Sequence, residues 1–143
     1  PSSKEYINGA MKVLTGLDWI EQKIHYPEKL IDYCLDNTPS QEGCDIVDII
    51  YVLYRCAKET SYKRLEIEKY LIKQLEIIEK HYFYGKGGFS YFINKSQITY
   101  YGLQITSGLK TPDLHGTTLL LRALSMIYEI NFPDKKYLKV IKP

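Results

Sequence analysis

The chain lacks a long apolar run, a strong charge of either sign and an even set of cysteines. Each absence excludes something. A membrane-crossing helix takes about 20 consecutive apolar residues, and no stretch of these 143 residues approaches that, so no membrane span is expected. A net charge of +2 is too small to hold nucleic acid or an anionic membrane surface. The lysines are scattered among glutamates, with no basic stripe interleaved with aromatics, so no nucleic-acid partner is expected. Cys34, Cys44 and Cys56 are odd in number and well separated, each in or at the edge of a predicted helix. That pattern fits reduced thiols in a cytoplasmic protein, not a disulfide framework. The first residues carry no signal-peptide pattern. One tryptophan and four phenylalanines stand against fourteen tyrosines, a skew toward side chains with an apolar body and a polar tip.

What is present reads as one helical domain over 1–143, long enough to bury a core. Ile7, Ala10, Met11, Leu14 and Leu17 recur at helical spacing from Lys4 to about Leu17. Pro27 suits the first position of a second helix, with Leu30, Ile31, Cys34 and Leu35 as its apolar stripe. A third helix from Cys44-Asp45 to about Glu59 is apolar nearly all round and so is expected to be buried on most sides. A fourth, from about Tyr62 to His81, places Ile67, Leu71, Leu75 and Ile78 on one stripe and charge elsewhere. His25 and His81 are isolated and read as surface or interhelical residues. Tyr82 to Pro112 is too long for a simple connection, and its glycines and aromatics predict an ordered, packed loop. Asp113 is an N-cap candidate for a fifth, strongly apolar helix ending at Phe132-Pro133-Asp134. The tail from Lys135 is basic, with one loose turn expected. The helices thus alternate buried, amphipathic, buried, amphipathic, buried. Asn8-Gly9 before the first apolar run aligns with His115-Gly116 before the last, the weak self-similarity of stacked helical hairpins.

Gly87-Gly88-Phe89-Ser90, the run ending Tyr100-Tyr101-Gly102, and Asp113-Leu114-His115-Gly116-Thr117 resemble the C-terminal part of the prenyltransferase and terpenoid-cyclase αα-toroid proteins. More narrowly they resemble an uncharacterised bacterial branch of that superfamily. The resemblance is good over about residues 83–130 and vague before. It implies an all-α fold of stacked helical hairpins, the third and fifth helices inner, the second and fourth outer, with the Gly/Tyr-rich loop before the last buried helix. Fewer than three hairpins make a partial αα-toroid: a fragment, part of a longer chain, or a half-ring completed by a partner chain.

Parallel inner helices would bring their N-termini to one rim, placing Cys44, Asp45 and Asp48 near Asp113 and His115, where free amides favour an anion. Three roles compete. The resemblance implies zinc, with Cys44, Asp113 and His115 the right ligand types, although their spacing departs from the family's Asp-x-Cys pattern. It also implies acid catalysis of terpenoid cyclisation through Asp113 and His115, yet the Asp-x-Asp-Asp and Asp-Asp-x-x-Asp signatures are absent. The structural role has Asp113 capping the helix, His115 bonding the neighbouring loop and Gly116 allowing close packing. Tyr91, Tyr100 and Tyr101 are candidates to line a hydrocarbon pocket. The glycines of 85–88 are not a phosphate cradle, since no Lys-Ser/Thr follows and no strand precedes; a tight turn that tucks in Phe89 is expected. The functional expectation is a concave cavity for an apolar, isoprenoid-like or peptide ligand. The alternatives are a prenyltransferase- or cyclase-like enzyme fragment and a purely structural half-ring.

Overall fold

The computed structural model describes residues 2–135 and 138–140, so the tail turn expected after Lys135 lies mostly outside the described residues. The chain is mainly helical: α1 (Ser3–Trp19), α2 (Pro27–Asp36), α3 (Gly43–Ala57), α4 (Arg64–Glu79) and α5 (Leu114–Asn131), with one two-stranded antiparallel ribbon of β1 (Thr99–Tyr100) and β2 (Leu103–Gln104). Among the described residues no helix is long and apolar enough to cross a membrane.

The core is built around α3. Of its fifteen residues only Cys44 and Arg55 are not buried, as its all-round apolarity requires. α1, α2, α4 and α5 each pack against it, while α2 also meets α4 and α4 also meets α5. α1 starts with a capping box: the Ser2 hydroxyl accepts from the Glu5 amide, and the Glu5 carboxylate accepts from the Ser2 amide. Sequence periodicity overstated this helix. Only Ile7 and Leu14 are buried in it, so it is a half-covered flank and not a buried rod. Pro27 occupies the start of α2, as expected. In α4 the buried face is Ile67, Leu71, Gln74 and Ile78, shifting the stripe one residue from the expected Leu75. The same face continues to His81, which is fully buried and not a surface residue; His25 is exposed. All three cysteines are free. Cys34 and Cys56 are buried, and burial pushes each thiol up to about 12, so both stay protonated and inert.

The strands lie within the loop, not where helices were expected. Tyr101 and Gly102 form the two-residue turn, both at positive φ, the conformation that matches a ribbon's twist.

Candidate binding site

Residues 81–97 fold back onto the first turn of α5. The Ser90 amide donates to the His81 carbonyl at 2.9 Å, and His81 Nδ1 lies 2.8 Å from the Ser90 carbonyl, to which it donates. Gly85, Gly87 and Gly88 all take positive φ, and the Phe83 amide reaches the Gly88 carbonyl at 3.0 Å. The glycine turn therefore does deliver Phe89 into the core. Phe89 is then clasped by Thr117, whose hydroxyl accepts from its amide at 2.9 Å and donates to its carbonyl at 3.1 Å.

Burial lowers the His81 pKa, against the raising influence of the Ser90 and Gln41 backbone and the Asp113 charge. A folded value below the unfolded one means that His81 contributes stability above its ordinary pKa of about 6.5, and that this is lost as pH falls through the folded value. Urea unfolding at about pH 7.5 and pH 5 should show a loss on acidification that is smaller in His81→Asn. An equally steep loss in that variant would assign the acid sensitivity to other groups.

Tyr91 joins the two helix starts. Its carbonyl accepts from the Gly43 amide at 3.0 Å, and its amide donates to Asp113 Oδ2 at 2.8 Å. Its hydroxyl lies beside the Cys44 thiol. Its ring covers Gly43, where a Cβ would come within 3.1 Å of it, and stacks on His115 with centroids 5.3 Å apart and planes at 20°. Cys44 and His115 are thus bridged by one tyrosine. Burial raises the pKa of the Cys44 thiol, although the Tyr91 hydroxyl beside it opposes the rise, and burial is also the main cause of the raised Tyr91 pKa. Neither group is poised to ionise near neutral pH.

Asp113 caps α5 through Oδ1, which accepts from the Gly116 amide at 2.7 Å. Its Oδ2 accepts from the Tyr91 amide and, at 3.2 Å, from the Gln97 amide. His115 bonds the loop through Nδ1, 2.6 Å from Gln97 Oε1. A Cβ on Gly116 would stand 2.3 Å from the Tyr91 nitrogen. All three parts of the structural reading of this turn are therefore present. Gln97 is the residue that sequence reasoning missed: it is polar, inside the loop and marked by no local pattern.

The other predicted site residues divide. Tyr100 meets His115 edge-on at 4.7 Å and, with Ile105 and Leu114, walls a cavity of about 450 Å³ whose remaining lining is Thr106, Asp113, His115 and Thr118. Tyr101 is 89% exposed at the ribbon turn and lies outside that lining, stacked edge-on against Tyr100. Asp45 and Asp48 turn toward α1 and not toward Asp113 and His115. Asp45 takes Lys4 Nζ at 3.0 Å and the Ser40 hydroxyl, and Asp48 accepts from Asn8 Nδ2 at 2.7 Å. They border a separate, smaller hollow of about 230 Å³. Desolvation raises the Asp48 pKa, partly offset by Asn8.

Zinc does not fit. Among the described residues no three His, Cys, Asp or Glu side chains are grouped as a metal requires. Both Asp113 oxygens already receive amides, Nδ1 of His115 is held by Gln97, and the Tyr91 hydroxyl lies beside the Cys44 thiol. The expected set of Cys44, Asp113 and His115 is replaced by a hydrogen-bonded joint.

Comparison with family models, with curated proteins and with solved structures gave no match.

Proposed function

We propose that the chain is an arc of an αα-toroid-like helical stack that binds an apolar small molecule, of isoprenoid-like character, in the cavity before α5. Catalysis is not part of this reading, because Asp113, the acid that a cyclase-like reaction would use, has both oxygens occupied by backbone amides. The arc is supported by the order of helix packing: α1, α3 and α5 neighbour one another in turn, with α2 against α4 beside them. An apolar groove of about 460 Å³ along α1, lined by Ala10, Val13 and Leu17, is the open flank such an arc leaves.

The carrying observation is exposed apolar surface arranged around a concavity. Leu114 is 84% exposed, yet with Tyr100 and Ile105 it walls a hollow of about 450 Å³, within the usual range for small-molecule sites. Farnesol serves as the probe. Ligand-observed NMR should give a Kd on the order of 0.1 mM, given the modest efficiency of apolar contacts. Leu114→Asp should weaken binding at least about tenfold and leave the fold intact, since an acidic residue is favoured in a first helical turn. Failure of farnesol to bind, or binding indifferent to Leu114→Asp, would remove the cavity as the site.

A further inference from the structure

The polar groups around the cavity are nearly all engaged within the protein. Thr118 donates its hydroxyl to the Leu114 carbonyl at 2.8 Å. Thr106 donates to the Gln97 carbonyl at 2.6 Å and accepts from the Gly108 amide at 3.0 Å. Both Asp113 oxygens hold amides, and Tyr100 is 44% exposed with its ring edge-on to Tyr101. Among the polar groups of the lining that are not exposed, that leaves the His115 ring. Its Nδ1 faces Gln97 Oε1 at 2.6 Å. Nε2 makes no hydrogen bond among the described residues.

Gln97 is itself fixed. Its amide donates to Asp113 and its carbonyl accepts from Thr106, so its side chain projects from a backbone pinned on both sides. A side-chain carbonyl oxygen can only accept, so Nδ1 carries the hydrogen. In a neutral imidazole the other nitrogen is then a bare acceptor. Burial holds the His115 pKa below the ordinary histidine value, against the raising influence of Asp113, so the ring is neutral near neutral pH. The ring stacks on Tyr91 and meets Tyr100 edge-on, which fixes its plane.

Resting on the apolar-ligand reading above, we infer that the cavity selects an apolar molecule bearing a hydroxyl or N–H donor, received by His115 Nε2, with Gln97 as the positioning residue that sets the tautomer. A ligand without a donor would leave the acceptor facing an apolar group after losing its water.

Farnesol and farnesyl methyl ether test this, having the same skeleton with and without the donor. The protein should prefer the alcohol about tenfold. His115→Phe keeps the stacked ring without the acceptor and should bind the two alike, within about twofold. The 15N shifts of the His115 ring should report a protonated Nδ1 and a bare Nε2, and Gln97→Ala should mix the tautomers and reduce the preference. A merely structural Gln97 would alter stability without moving those shifts. Equal binding of alcohol and ether by the unmodified protein, or a protonated Nε2, overturns the inference while the apolar site stands. If neither probe binds, the site and the inference fall together.

Discussion

Gly116→Ala is expected to destabilise the protein by about 3 kcal/mol, the upper end of what overpacking does. The methyl group would stand 2.3 Å from the Tyr91 nitrogen and 2.5 Å from the Ser90 carbonyl carbon. These are backbone atoms and cannot swing aside like the end of a side chain. To make room, the 90–91 segment must leave α5. That would break the Tyr91 amide bond to Asp113 at 2.8 Å and strain the Gly43 bond to the Tyr91 carbonyl. A loss of this size is a large fraction of the whole stability of a small domain. Gly9→Ala is the internal control. Gly9 is the residue that sequence self-similarity pairs with Gly116, yet a Cβ there meets nothing within 4 Å. Removing a glycine from an unobstructed helix position should stabilise by about 0.5–1 kcal/mol. Urea unfolding of the two variants checks the contrast; an alanine at 116 within about 1 kcal/mol of the parent would mean that the loop does not press on α5.

The pairing of Gly9 with Gly116 also shows what the chain discloses locally and what it withholds. Helix positions, the Asp113 cap and the packed character of the 82–112 loop follow from periodicity, capping chemistry and turn residues, all within a few residues of one another. The small residue at each helix start was equally legible. Its reason was not: at Gly116 it admits another backbone, while at Gly9 nothing arrives. The difference depends on segments 25 residues apart in sequence, and no local rule carries it. Gln97 is hidden in the same way, since its partners Asp113 and His115 are reached only once the loop has folded back.

His81 was within reach of a closer reading, because it continues the period of Ile67, Leu71, Gln74 and Ile78; the charged and tyrosine neighbours obscured it. The shared-rim expectation failed for Asp45 and Asp48 because helix starts, unlike side chains, say nothing of rotation about the axis. α3 turns those carboxylates to Lys4 and Asn8 of α1, and only Cys44 is left facing the Tyr91–His115 stack.

Asp113→Ala should be as damaging as the glycine change, and for a reason that a cap alone does not supply. Losing an ordinary N-cap costs about 1 kcal/mol. Here the carboxylate receives three amides, from Gly116, Tyr91 and Gln97, at a residue only 7% exposed. An alanine leaves all three donors without their acceptor, and each buried orphan costs about 1–3 kcal/mol. Partial access of water to Gln97 reduces the sum, so a loss of about 3–5 kcal/mol is expected from these terms. Asp113→Asn divides the contributions. Its one oxygen can serve either Gly116 or the Tyr91 and Gln97 pair, while its NH₂ group then opposes a donor on the other side. The variant should recover little of the stability, and the amides of Tyr91 and Gln97 should exchange with solvent faster. Hydrogen exchange followed at those two amides, beside urea unfolding, distinguishes a clamp from a cap. A loss confined to about 1 kcal/mol with the loop amides still protected would reduce Asp113 to an ordinary helix cap. The docking of the 81–91 segment on α5 would then rest chiefly on the Thr117–Phe89 clasp, the His81–Ser90 pair and the Asp113 amide bond to the Phe89 carbonyl.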